Sequence, residues 1–462
     1  MAQSIADQQR SESDSLAGRL GALQKVIASR AFKSLPGDTQ YQDLSTAGKL
    51  AAALERQRQA YGYIAAAADT PQADFYDRLL QVQSAVALGL QADAVSGVTG
   101  IIQRWPEQVA GLPTGLLDEI LRESSSMPHG ARLSLLRALY GMHWKLKGDV
   151  EPSETWRDLT LLLLEQGRLS EATDVAAHVD DVYTLIAMRA DRRFEAVVAA
   201  RPPQFDVPAA AERQLKNLES ASENNPRSLV LKTELLLALA HQQHYAAMLA
   251  ESDSAVSALE STNFREKLYE DYYEQYARFL NVRSIALQRA GRWDEAVEQL
   301  KAASVGNNTN QLINLAVLYC VLDRPNEGLE AIGRVKGDAS PYGAMQVEWV
   351  RLEAAVQLGD TRQVAASMQF LKKHVADAPW AYMGGLLSVN QLDRAARFLI
   401  EELLNPEQRQ DALAGVQDYA AKPQTPRDRE FSLRWREVVA RKEVQAAIQK
   451  TGRTASYHLE EP

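Results

Sequence analysis

Apolar residues recur along most of this chain at intervals of three and four, the spacing that lines one face of a helix. The segment 280–303 shows the pattern most fully. Ser284-Ile285-Ala286-Leu287-Gln288-Arg289-Ala290 closes one amphipathic stretch, Gly291-Arg292 interrupts it, and Trp293-Asp294-Glu295-Ala296-Val297-Glu298-Gln299-Leu300 opens another. Gly291 suits the interruption because glycine readily takes the left-handed backbone of a helix exit. Ala296 is small where two antiparallel helices would approach, and Leu300 and Ala303 follow it on the same face. The pattern predicts helix, tight turn, helix.

That unit repeats. Gly167-Arg168-Leu169-Ser170-Glu171-Ala172 aligns without a gap on Gly291-Arg292-Trp293-Asp294-Glu295-Ala296, and Trp156, Leu159 and Leu163 precede it on the first helix. Beyond Ala296 the equivalent positions are Gly328, Val364 and Ala395, at separations of 32, 36 and 31 residues. These residues resemble the tetratricopeptide pattern, a 34-residue helix-turn-helix with a turn glycine and a small residue five positions on. The resemblance implies an all-α fold, a right-handed superhelix (solenoid) of antiparallel helix-turn-helix repeats. Gly328 and Val364 depart from the favoured alanine. The unit at Asp191-Arg192-Arg193-Phe194-Glu195-Ala196 follows too closely for two full helices and is read as shortened. The pair 229–240 and 245–259 has the helical pattern without the glycine. Before Glu151 there are amphipathic helices but no motif, and Gly89, Gly97 and Gly100 are read as allowing helices to pack closely.

The pattern suggests three regions. Residues 1–150 form an N-terminal helical array of degenerate repeats, its first helix carrying a stripe of Leu16, Leu20, Leu23 and Ile27 after a frayed start. Residues 151–420 form the repeat array proper, with a hinge placed in 201–225, where Pro202, Pro203 and Pro208 cluster. Residues 427–462 supply one capping helix, to about Lys450, with Phe431, Trp435, Val438 and Val439 on one stripe. Gly452 is its stop, and the tail from Thr454 is read as loose.

Composition narrows the function. Of 462 residues, 60 are acidic and 51 basic, a net charge of -9, so there is no basic footprint for nucleic acid and none is expected as a partner. No apolar run approaches the roughly 18 residues of a membrane span, so membrane insertion is not expected. The first ten residues lack a secretory signal, which places the chain in the cytoplasm, or in the periplasm if the N-terminus has been processed. The single cysteine, Cys320, lies in an apolar run and reads as a small buried residue.

Candidate chemistry is sparse. His241 and His244 are three apart but lack a third ligand, so no metal is expected, and no cofactor either. Neither a nucleophile elbow nor a phosphate-cradling glycine loop is present, so no catalytic residue is assigned and the chain is read as not an enzyme. The most unusual feature is the stripe Tyr269, Tyr272, Tyr273 and Tyr276, continued by Phe279, whose spacing sets the rings on one face of a helix. Those rings are either core between repeats or a partner-binding face, where tyrosine gives rigid, amphipathic contact area. The reading is an interaction scaffold or adaptor that binds a peptide or partner protein along a concave helical surface. Two alternatives stand beside it: an exported factor that helps assemble a bacterial envelope complex, and a helical-toroid enzyme with an unrecognised site.

Overall fold

The computed structural model describes residues 2–113, 115–124, 127, 129–306, 308–336 and 339–461, with side chains from residue 15 onward. It divides into two compact units, Met1–Trp144 and Lys145–Pro462. Both are made mostly of consecutive antiparallel helix pairs.

One turn recurs throughout. At Glu55, Gly89, His143, Gly167, Gln243, Gly291, Asp323, Gly359 and Asn390 the backbone is left-handed, with φ between 54° and 73°. The residue after each donates its N–H to the carbonyl five positions back: Arg56 to Ala51 at 2.9 Å, Leu90 to Ala85 at 2.8 Å, Arg292 to Leu287 at 2.8 Å. This is the Schellman closure, which satisfies carbonyls that the helix end would otherwise leave open. Five residues beyond most of these turns sits a small or apolar side chain buried against the preceding helix: Ala60, Ala94, Ala172, Met248, Ala296 and Ala395.

In the first unit, helices Gly37–Ala53 and Gln57–Ala68 form one such pair, and Phe75–Ala87 with Gln91–Arg104 the next. Their turn residues, Glu55 and Gly89, lie 34 residues apart, the full repeat period. The motif that the sequence does not show before Glu151 is therefore present in the backbone. Of the three glycines read as close-packing, only Gly97 is so placed, since a Cβ there would lie 2.7 Å from Val82 Cγ2. Gly89 makes the turn, and nothing lies near Gly100. The opening helix runs Ala2–Ile27, helical from Ala2 where a frayed start was expected, and its Leu20 is buried in a core with Ala47, Leu50, Ala51 and Ala60, against which Leu16, Leu23 and Ile27 pack. Asp77 ties the pairs together, accepting from Tyr41 (2.5 Å), Ser45 (2.7 Å) and Lys49 (2.8 Å). Burial pushes the Asp77 carboxyl up, but these donors outweigh it and hold it below the usual range.

The second unit carries the clearer repeats. Leu229–His241 pairs with Tyr245–Glu260, Tyr272–Arg289 with Trp293–Ala303, Thr309–Val321 with Pro325–Gly333, Pro341–Leu358 with Thr361–Lys373, and Pro379–Ser388 with Leu392–Leu404. The shortened unit is Val182–Ala190 followed by a second helix of only 6 residues, Glu195–Ala200. Much of 201–225 is occupied by helix Val207–Asn224. Gly328 stands where alanine is favoured because the partner helix is too near: a Cβ would fall 3.0 Å from Cys320 Sγ and 3.2 Å from the Ala316 carbonyl.

The C-terminal region departs from expectation. The single capping helix is two, Pro426–Val439 and Lys442–Thr451. The break at Arg441 lets Val438, Val444 and Ile448 all reach the core that Leu399 and Leu413 occupy. Nor is the tail loose. Ser456–Glu460 (β2) pairs in parallel with Asp418–Ala420 (β1), adding a short sheet to the helices. The chain thus returns to the start of its own unit: Ala190 shares a core with Leu413 and Ile448, Asp191 bridges Gly452, and Arg193 Nη1 donates to the Pro406 carbonyl at 3.1 Å.

Candidate partner-binding surfaces

The tyrosine stripe does not share one helix face. Asp271 reaches across to the neighbouring repeat and accepts from the backbone N–H groups of Leu229 (2.7 Å) and Val230 (3.2 Å), capping the start of helix Leu229–His241. The Glu270 N–H donates to the Arg227 carbonyl at 3.0 Å. This tether keeps the backbone at Tyr269 extended, so the helix begins only at Tyr272. Tyr269 is buried in the core with Phe279, and Tyr272 and Tyr276 pack half-buried against it. Tyr273 points outward and is 77% exposed. Burial pushes the Tyr269 and Tyr276 hydroxyls up.

The exposed part of this region is aromatic and cationic. Tyr272 touches Tyr273 edge-on at 5.3 Å and Tyr276 at 4.8 Å. Arg265 Nη1 donates to the Tyr272 hydroxyl at 3.3 Å. Beside Arg265, Phe264 is 57% exposed with the Lys267 ammonium 4.4 Å from its ring centre. The sequence reading missed Phe264, Arg265 and Lys267, which lie on the short separate helix Arg265–Leu268 and the residue before it, outside any longer helical stripe.

A second surface surrounds the tail. Arg289, on the last turn of its helix, donates Nε to Glu460 Oε1 at 2.6 Å and pairs with the same oxygen through Nη2. The Tyr245 hydroxyl donates to Glu460 Oε2 at 2.9 Å, and the Tyr183 hydroxyl to the Glu460 carbonyl. The Arg289 and Glu460 side chains are 13% and 3% exposed. Tyr183 stands edge-on to His241 at 4.6 Å and tilted to Tyr419 at 6.1 Å, and Tyr419 faces Tyr457 at 6.0 Å. Burial drives the Tyr183 and Tyr419 hydroxyls well up, and pushes Tyr245 up with help from its bond to Glu460. It pushes the His241 imidazole down, against the pull of Asp181 and Glu460.

The histidines, the cysteine and four aromatics elsewhere in the repeats, Tyr61, Tyr63, Trp380 and Tyr382, which offered lesser candidates for a binding face, have structural surroundings. His241 packs on Tyr183 while His244 is exposed at the start of the next helix, and among the described residues no three metal-ligating side chains gather. Cys320 is buried, and its thiol is pushed up to about 12. Tyr61 donates to Asp93 at 2.7 Å, Tyr63 packs beside Leu20, Tyr382 is buried on Phe398, and half-exposed Trp380 packs on Trp435. Among the described residues no helix is long and apolar enough to cross a membrane.

No family model matches the sequence, and no curated protein matches it significantly. Among solved structures the chain is similar to the TPR domain of P58(IPK), at 10% identity over 89% of this chain and 98% of that one, with a TM-score of 0.18. It is also similar to Naa15/Naa10 bound to HypK-THB (13% identity, 97% and 89% covered, TM-score 0.25). A third is the APC/C hetero-tetramer Cut9-Hcn1 (11% identity, 93% and 88% covered, TM-score 0.24). The recurring Schellman turns and the small residues five positions beyond them decide the architecture. It is a tetratricopeptide-like helical repeat. Both surfaces belong to that repeat array in its second unit, one on the turn and helix start at 264–276, the other across the helix ends that meet the tail.

Proposed function

We propose that this chain is a non-catalytic interaction scaffold that binds a peptide or partner protein along the helical surface of its second unit. One observation supports this most: Phe264, Arg265, Lys267, Tyr272, Tyr273 and Tyr276 form a linked, partly exposed aromatic and cationic group. A stripe serving only as core would be buried throughout. Tyrosine and arginine lead the residues that carry binding energy at protein interfaces: tyrosine offers large contact area with few torsions to freeze, and arginine a planar fork of hydrogen-bond donors. The charged flank of Glu266, Lys267 and Glu274 steers association, so binding weakens as salt screens it.

Affinity capture from native extract tests the reading, with captured proteins identified by mass spectrometry. Wild type is compared with a Phe264→Ala, Tyr273→Ala double variant, chosen because both rings are exposed and their removal leaves the core intact. A specific protein retained by wild type and reduced about 10-fold or more by the variant is the expected result. Equal capture by both moves the binding face elsewhere. Capture of no protein by either sinks the scaffold reading itself.

A further inference from the structure

Three side chains from separate repeats converge on one residue of the tail, and the fit is incomplete. Arg289, Tyr245 and Tyr183 take both carboxylate oxygens and the backbone carbonyl of Glu460. Leu459 beside it is buried. The helices that supply Arg289 and Tyr245 pack through a core that the tail does not enter, around Phe279, Leu280, Ala286 and Met248. The Arg289 and Tyr245 walls of the pocket are therefore built by the repeats and only met by the tail.

The start of the tail is anchored: the Arg453 N–H donates to the Ala190 carbonyl at 2.9 Å, the Gln417 side chain bonds the Arg453 carbonyl and the Ala455 N–H at 3.1 and 2.9 Å, and Ser456 Oγ donates to Asp418 Oδ2 at 2.8 Å. Its strand matches β1 at Asp418–Ser456, Tyr419–Tyr457 and Ala420–Glu460, with the register broken between Tyr419 and Ala420. A two-stranded pair this short has little stability of its own. Lys422 and Glu461 add an ion pair at 3.6 Å near the surface, where such pairs contribute little. Beyond Tyr457, attachment is concentrated in the buried Leu459 and Glu460. Meanwhile His241 Nδ1 and the Tyr419 hydroxyl, both lining this cleft, are buried with no hydrogen-bond partner among the described residues. Buried polar atoms are normally paired. The tail leaves two of those around it unused.

We propose that this pocket recognises an extended segment of a partner protein carrying an apolar–glutamate pair, and that Leu459–Glu460 occupies it as a displaceable internal ligand. The chemistry sets the class. A guanidinium with a tyrosine hydroxyl beside it selects a carboxylate. Tyr183 reads a backbone carbonyl whatever the side chain, and β1 offers an edge to a parallel strand. A tethered tail competes at roughly millimolar effective concentration, so an external segment meets a pocket already occupied. Loosening the tail raises the apparent affinity for that segment. The site shares no residue with the tyrosine surface at 264–276, and the two stand or fall separately.

The probe is a fluorescein-labelled peptide with the sequence of residues 453–461, titrated by anisotropy against the full chain and against full-length Glu460→Gln. The Glu460→Gln chain is expected to bind it at least about 10-fold more tightly than wild type, and a peptide with Gln in place of that Glu to bind neither. A Glu460→Gln chain that keeps its helical circular dichroism but binds no better than wild type overturns the proposal, making the tail a fixed closure. So does sedimentation showing a dimer built by exchange of tails, which would make a second copy the occupant. Should the variant fail to fold, amide exchange of the unaltered chain decides. Amides of 456–460 are expected to open faster than those of Leu229–His241, and exchange at the rate of that helix overturns the proposal.

Discussion

Glu55 holds its backbone at φ 58° to close a turn that glycine would close without steric cost. The left-handed conformation costs an L-residue about 1–2 kcal/mol, partly offset by the smaller entropy that a side-chain residue loses on folding. Glu55 is exposed, so its side chain contributes little packing. Glu55→Gly is therefore expected to stabilise the first unit by about 0.5–1 kcal/mol in urea unfolding followed by circular dichroism. A loss of stability would mean that the turn is held by something other than its backbone. The same comparison explains what was legible at this scale. Gly167, Gly291 and Gly359 announce their turns because their residue type is rare in helices. Glu55 and Gln243 make the same turn with side chains equally common on solvated helix faces, so nothing in their identity marks them, whereas Asp323 and Asn390 belong to types that favour the left-handed backbone. The first repeats were missed because Glu55 carries no such mark and Gly89 was read as a packing glycine, although Ala60 and Ala94 sit in register.

Elements were legible where one face is apolar and illegible where contacts come from far along the chain. The helices of 280–404 show their buried stripes in the sequence, and the shortened unit at 191–196 is visible from spacing alone. The tail is different. Ser456-Tyr457-His458-Leu459-Glu460 has no helical period, and its partners Tyr183, Tyr245 and Arg289 lie more than 170 residues away. Tyr269 misleads for a related reason: its spacing fits a helix that the long-range cap from Asp271 prevents from starting there. Gly452 is where the return of the chain end is tightest. Its φ of -165° suits any residue, but a Cβ would fall 2.2 Å from the Ala190 carbonyl and 2.7 Å from Leu413 Cδ2. Gly452→Ala is thus expected to destabilise the second unit by about 1–3 kcal/mol, as overpacking does. Hydrogen exchange should rise at 190–193 and 452–455 while the first unit is unchanged. A neutral substitution would show that the contact yields without cost.

At the scale of the whole molecule, a chain of two compact units is expected to unfold in two transitions, and pH offers a way to assign them. His241 lies in the second unit, and burial holds its imidazole below the ordinary 6.5 despite Asp181 and Glu460. The unfolded chain therefore takes up a proton near 6.5 that the folded unit refuses until lower pH. Stability falls as pH drops through that interval, and the loss stops growing once pH is below the folded value. Buried carboxyls act in the opposite sense. Glu353, Asp180 and Asp411 are pushed up by burial, so the folded unit protonates them first and gains stability as pH falls. The net slope mixes both, but a His241→Phe variant removes only the first. Calorimetry at pH 7.5 and pH 5.5 should show two transitions, with the second moving down more in wild type than in His241→Phe, and the first moving equally in both. A single transition would join the two units into one cooperative body. An identical shift in wild type and variant would place the source of the pH dependence outside His241.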